Sequence, residues 1–126
     1  ALAGVFAVPR RVLVLDEPTA MLDPAGRVEV LDAVRGLRAD GLTVVYVTQE
    51  MDEVAGADRV VALERGSVVY AGGVHGLFSE AELVRRLGLG LPVAGRVALE
   101  LVARGRSLEP LPLTLDELVA ALGRTS

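Results

Sequence analysis

Apolar and polar positions fall into blocks along this chain, and the period changes where elements should start and stop. Residues 12–15 read VLVL, a continuous apolar run without alternation, which predicts a strand over residues 11–16 buried on both faces. After a turn at residues 18–22, Asp23 is a natural helix cap and Pro24 suits a first helical turn. Val28, Leu31, Val34 and Leu37 then recur at helical spacing, with Arg27, Glu29, Asp32, Arg35 and Arg38 largely on other faces. Asp40-Gly41 supplies a left-handed stop. A second apolar run at 42–47 completes strand, helix and strand, the order of a right-handed parallel crossover. A short helix at 51–55 leads to a third strand at 59–63. The turn 64–67 and a fourth strand at 68–71 predict a hairpin.

Beyond Gly72-Gly73 the pattern becomes helical. Ser79 with Glu82 three residues later has the form of a capping box. Residues 93–103 predict an amphipathic helix with Val93, Val97, Leu101 and Val102 on its apolar side. Thr114-Leu-Asp-Glu117 forms another capping box ahead of Leu118, Val119 and Leu122. Pro110 and Pro112 stiffen the segment between these helices. The expected organisation is an α/β portion over residues 1–78 and a small helical extension over residues 79–126. Residues 1–8 read as the end of a helix cut in mid-pattern.

Composition narrows the function classes. With 126 residues, 52% of them hydrophobic, the chain can build one modest core or part of a larger one. Net charge is −4, and all thirteen basic residues are Arg, with no basic tail or Lys/Arg-dense face. Nucleic acid is therefore not an expected partner. Without cysteine there is neither a disulfide nor a thiolate metal site. The apolar opening ALAGVFAV stops at Pro9, far short of the roughly 20 residues that span a bilayer. The one histidine, His75, reads as a surface loop residue.

The chemistry concentrates where the first strand ends. Asp16 falls at the carboxyl edge of a parallel strand, the usual ligand crevice of open α/β folds. A carboxylate there can hold Mg²⁺ through water, and Glu17, one residue farther, can orient or deprotonate an attacking water. Pro18 keeps the Glu17 backbone out of an ordinary helix. Taken alone, Asp-Glu-Pro is also a plain solubilising turn, and Asp23 is accounted for locally as a helix cap. Gly90 to Gly95-Arg96 imitates a phosphate loop, but arginine stands for lysine, Val97 for the hydroxyl residue, and no strand precedes it.

The stretch VLVLDEPTAMLDP resembles the Walker B segment and D-loop of ABC-transporter ATPases. VVYVTQEMDEVAGADRVVALERGSVVYAG is similar to the switch region and strands that follow in that family. The resemblance covers roughly residues 1–78 and implies a partial P-loop NTPase domain of ABC ATPase type. Parallel core strands are expected, without the phosphate-loop half. The resemblance also implies ATP and Mg²⁺ as cofactors, Asp16 as the magnesium residue, Glu17 as catalytic base, and residues 20–23, Asp23 included, at a subunit contact beside ATP. Residues 87–122, with LPVAGRVALEL and PLTLDELVAAL, resemble the extension of energy-coupling-factor ATPases, which drive vitamin, nickel or cobalt uptake. In that subfamily the extension helps pair two ATPase subunits.

These resemblances imply an ATP-hydrolysing transporter subunit, peripheral on the cytoplasmic face of the membrane. Its partners would be a second ATPase subunit, identical or different, and a transmembrane subunit. The phosphate loop and signature motif would lie upstream, so the isolated chain is expected to be inactive. One position departs from the family. After Thr48 the pattern calls for a switch histidine, and the chain has Gln49. Gln49 is thus expected in the catalytic site with whatever remains of phosphate sensing, since an amide can still donate a hydrogen bond but carries no titratable charge. A degenerate site of a heterodimer, a weakened ATPase and a tolerated glutamine all remain open. The competing function is a non-catalytic dimerisation or regulatory module on the same scaffold.

Overall fold

A computed structural model describes residues 11–124. The helix end expected at residues 1–8 lies outside them. Packing divides the chain into two units, one ending at Gln49 and the other beginning at Glu50.

The first unit is a strand–helix–strand crossover. β1 (Val12–Asp16) and β2 (Thr43–Val47) pair in parallel, with Val12 opposite Thr43 and Asp16 opposite Val47. Between them runs α1 (Pro24–Ala39). Its start follows the local chemistry, since the Asp23 carboxylate accepts the Gly26 N–H at 2.8 Å. Its end is a Schellman motif. Gly41, at φ +90°, donates to the Arg38 carbonyl, and Leu42 donates to that of Leu37, both at 3.0 Å.

Leu13 and Leu15 bury themselves against Val30 and Val34, with Leu37, Val44 and Tyr46 partly covered. Two expectations need correction here. The inward stripe of α1 runs through Val30 and Val34, while Val28 is exposed. Nor is β1 buried on both faces. Val12 and Val14 are 54% and 63% exposed, and Val45 and Val47 beside them 46% and 47%. Within the described residues of this unit the helix covers one side of the two-stranded sheet, and the valines of the other side are exposed.

The second unit starts with the single-turn α2 (Met51–Val54) and a hairpin of β3 (Val60–Glu64) and β4 (Ser67–Gly72). The turn residues Arg65 and Gly66 have φ of 50° and 80°, the double left-handed geometry that matches strand twist in a two-residue loop. Two helices then follow, α3 (Val74–Ser79) and α4 (Ala81–Arg86). Ser79 therefore closes a helix and does not open one; its hydroxyl donates back to the Gly76 carbonyl at 2.8 Å. His75 lies in the first turn of α3, not in a loop. Val74, Leu77, Phe78, Val84 and Leu113 form one core over the hairpin, so residues on both sides of position 78 pack together.

α5 (Val93–Ala103) and α6 (Leu115–Arg124) complete the unit around Ala94, Ala98, Leu108, Leu118 and Ala121. α5 turns its small residues inward and leaves Val93, Val97 and Val102 exposed; of the expected face only Leu101 packs against this core. The capping box at α6 forms as expected. Glu117 N–H donates to Thr114 Oγ1 at 3.2 Å, and Thr114 N–H donates to Glu117 Oε2 at 3.4 Å. The same carboxylate accepts the Leu113 N–H at 2.7 Å and lies 3.2 Å from His75 Nε2. Burial acts to raise the Glu117 pKa, but the Leu113 N–H, His75 and the Thr114 N–H outweigh it and hold it below the usual glutamate value. No helix among the described residues is long and apolar enough to cross a membrane.

Candidate nucleotide-facing site

The parallel pairing brings the ends of β1 and β2 together. Asp16 is the last residue of β1; strand alternation puts it on the open face with Val12 and Val14. Glu17 keeps the ladder for one more step, donating its N–H to the Val47 carbonyl at 2.8 Å. Its backbone then swings to φ +44°, a region that non-glycine residues seldom occupy. Adjacent carboxylates thus leave the strand in different ways.

The turn sends Glu17 towards the end of β2, where Gln49 Nε2 donates to Glu17 Oε1 at 3.2 Å. Thirty-two residues separate the two in sequence; the register that sets Asp16 against Val47 makes them neighbours. Because the donor is an amide, this contact needs no protonation change to form.

The loop beyond is anchored at its ends. Ala20 N–H donates to the Glu17 carbonyl at 3.2 Å and Leu22 N–H to that of Thr19 at 3.1 Å. Thr19 is buried, whereas Met21 stands 96% exposed at the tip. Asp23 is occupied with Gly26, and among the described residues no hydrogen bond joins it to Asp16, Glu17 or Gln49. A Cβ at Gly26 would meet Asp23 Oδ1 at 3.0 Å, so glycine keeps that cap close.

Among the described residues no three His, Cys, Asp or Glu side chains converge as a ready metal cage. Magnesium asks for less. It takes one or two carboxylates and fills the remaining octahedral positions with water and phosphate oxygens, and an exposed Asp16 at the strand end fits that demand. The sequence missed one polar contact in the second unit. Asp52 Oδ1 accepts the Val93 N–H, opening α5, at 2.8 Å. Its only advance sign was Pro92, which leaves that helix without a capping side chain.

A parallel crossover whose first strand runs into two adjacent carboxylates is the arrangement expected of an ABC-type ATPase; the amide that meets the second, just beyond the next strand, stands where that family is expected to carry histidine. Comparison with known proteins refines the class. No family model matches the chain. It is 50% identical over 123 residues to the energy-coupling factor transporter ATP-binding protein EcfA2 of Symbiobacterium thermophilum, covering 97% of this chain and 43% of that protein. EcfA1 of the same organism matches with the same figures, and EcfA2 of Enterococcus faecalis is 47% identical over 124 residues. Among solved structures, cbiO1 from Clostridium perfringens, part of the ABC transporter complex cbiONQ, superposes with a TM-score of 0.56 at 35% identity. That alignment covers 76% of this chain and 39% of cbiO1. The chain is homologous to the carboxyl-terminal portion of the ATP-binding subunits of energy-coupling-factor ABC transporters. It spans 43% of the length of the EcfA2 and EcfA1 relatives.

Proposed function

We propose that these residues supply the water-activating half of an ATP hydrolysis site in a longer transport ATPase of the energy-coupling-factor type. The observation that carries it is the Glu17–Gln49 hydrogen bond beside Asp16 at the end of the parallel pair. Glu17 takes the proton from the attacking water, and its left-handed backbone aims the carboxylate off the strand axis. Gln49 orients that carboxylate from just beyond the neighbouring strand. Asp16 holds magnesium through water; the ion, when bound, neutralises β- and γ-phosphate oxygens of ATP. Asp23 shapes the loop whose exposed tip, Met21, meets the second ATPase subunit.

In this assignment residues 1–78 act as the ATPase portion and residues 79–126 help pair two subunits. The assembly sits peripherally on the cytoplasmic face, bound to a transmembrane partner. The isolated chain is inactive, because phosphate binding draws on a glycine-rich loop and its lysine, and the sequence has neither that pattern nor any lysine.

The test is Glu17→Gln in the intact protein. Turnover should fall at least a hundredfold while ATP still binds, in keeping with loss of a general base; unchanged turnover overturns the assignment. Gln49 at the switch position favours one rival, a non-catalytic pairing module. In that case the intact wild-type protein binds its partners but shows no ATP turnover at all.

A further inference from the structure

α5 begins on Pro92, which offers its first turn no capping side chain. The leading N–H groups of any helix need partners from outside it. One arrives from 41 residues upstream, where Asp52 Oδ1 accepts the Val93 N–H at 2.8 Å. A carboxylate there meets a free donor and the positive end of the helix dipole together, the stronger kind of hydrogen bond. Asp52 belongs to α2, a four-residue turn, and stands three residues after Gln49. Met51 and Val54 of the same turn pack against the hairpin core. α5 in turn shares the Ala94, Ala98 and Leu118 core with α6.

We infer that Asp52 is a positioning residue that ties the chain leaving Gln49 to α5, so that nucleotide at the site changes the setting of the carboxyl-terminal helices. This rests on the nucleotide site proposed above, in which Gln49 orients Glu17. Displacement of residue 49 reaches Asp52 within one helical turn of chain. The bond to Val93 passes it to α5, and the alanine-lined contact passes it on to α6. Val93 and Val97, exposed on α5, move with that helix.

The bond can be cut from either end. Asp52→Ala removes the acceptor. Val93→Pro removes the donor at the first helical position, where proline is well tolerated, and Pro92 already has the ψ of 154° that a following proline demands. Asp52→Asn keeps an acceptor oxygen and serves as the conservative control. The experiment is amide hydrogen exchange on the intact protein, in a Glu17→Gln background that holds ATP, with and without ATP and Mg²⁺. In that background and with Asp52→Asn, nucleotide should change α5 exchange at least about fivefold, the lower end of ordinary site-to-site coupling. With Asp52→Ala or Val93→Pro that ratio should fall to near one, while residues 16–23 still respond and the β3–β4 hairpin stays protected.

A merely structural cap would raise α5 exchange equally with and without nucleotide and leave the ratio intact; that outcome refutes the coupling. So does an α5 response that survives both cuts, or one missing from the background protein while residues 16–23 respond. If residues 16–23 never respond, the nucleotide assignment fails and takes this inference with it.

Discussion

Glu117→Ala should loosen the last helix by an amount the structure bounds. The carboxylate closes the reciprocal box with Thr114, accepts the Leu113 N–H and meets His75. Loss of a helix cap costs about 1 kcal/mol. The Leu113 bond goes to a charged acceptor, but Glu117 is partly exposed, so it adds only about another 1 kcal/mol. Together these accelerate local opening of α6 about fivefold to thirtyfold, taking RT as about 0.6 kcal/mol. Amide exchange of Leu118, Val119 and Leu122 at neutral pH reads this directly. Thr114→Ala should give the smaller value, and the double variant less than the sum, because both substitutions break one box. The sign of the pH effect follows from the lowered Glu117 pKa. Its contribution is complete above the unfolded glutamate value, near 4.3, and is lost as pH falls through the lower folded value. Exchange in Glu117→Ala within twofold of wild type, or full additivity with Thr114→Ala, would refute the account.

Three further outcomes follow from packing and from the site. Leu77→Ala, at the buried centre of the hairpin core, should cost about 2–5 kcal/mol, read as a lower urea midpoint with unchanged slope. Gly76→Ala would drive a methyl group into the Tyr70 hydroxyl and break its 2.6 Å bond to the Gly73 carbonyl; Tyr70→Phe should recover part of the lost thermal stability, and no recovery would argue against this clash. Gln49→His in the intact protein should add to the pH–rate profile a limb near the ordinary histidine value of about 6.5, where wild type has none from this position; identical profiles would show that residue 49 does not touch the reacting groups.

Much of the architecture was written in local punctuation. Asp23-Pro24 and Asp40-Gly41 mark both ends of α1 because each meets unpaired helix-end groups with its own backbone or side chain. Thr114 and Glu117 do the same for α6. The choice of face was harder to read. In α5, Val93–Val97–Leu101 and Ala94–Ala98–Leu101 satisfy the same helical period, and only the close approach of α6 selects the small residues. VLVL says that both faces of β1 are apolar, but not that anything covers both. Reading His75 as a loop residue and Ser79 as a helix start hid α3 and put Ser79 at the wrong end of a helix. At the site, the acidic pair and Asp23 were visible as residue types in order. The Glu17–Gln49 contact depended on strand register, which local pattern implies only through the crossover.

Position 17 separates what folding favours from what chemistry demands. At φ +44° a glycine would relax the chain, whereas an L-residue bears about 1–2 kcal/mol of steric penalty there. Laboratory evolution of this scaffold for heat resistance alone should therefore replace Glu17 with glycine early. The hardier descendants would have discarded the carboxylate proposed here to activate water.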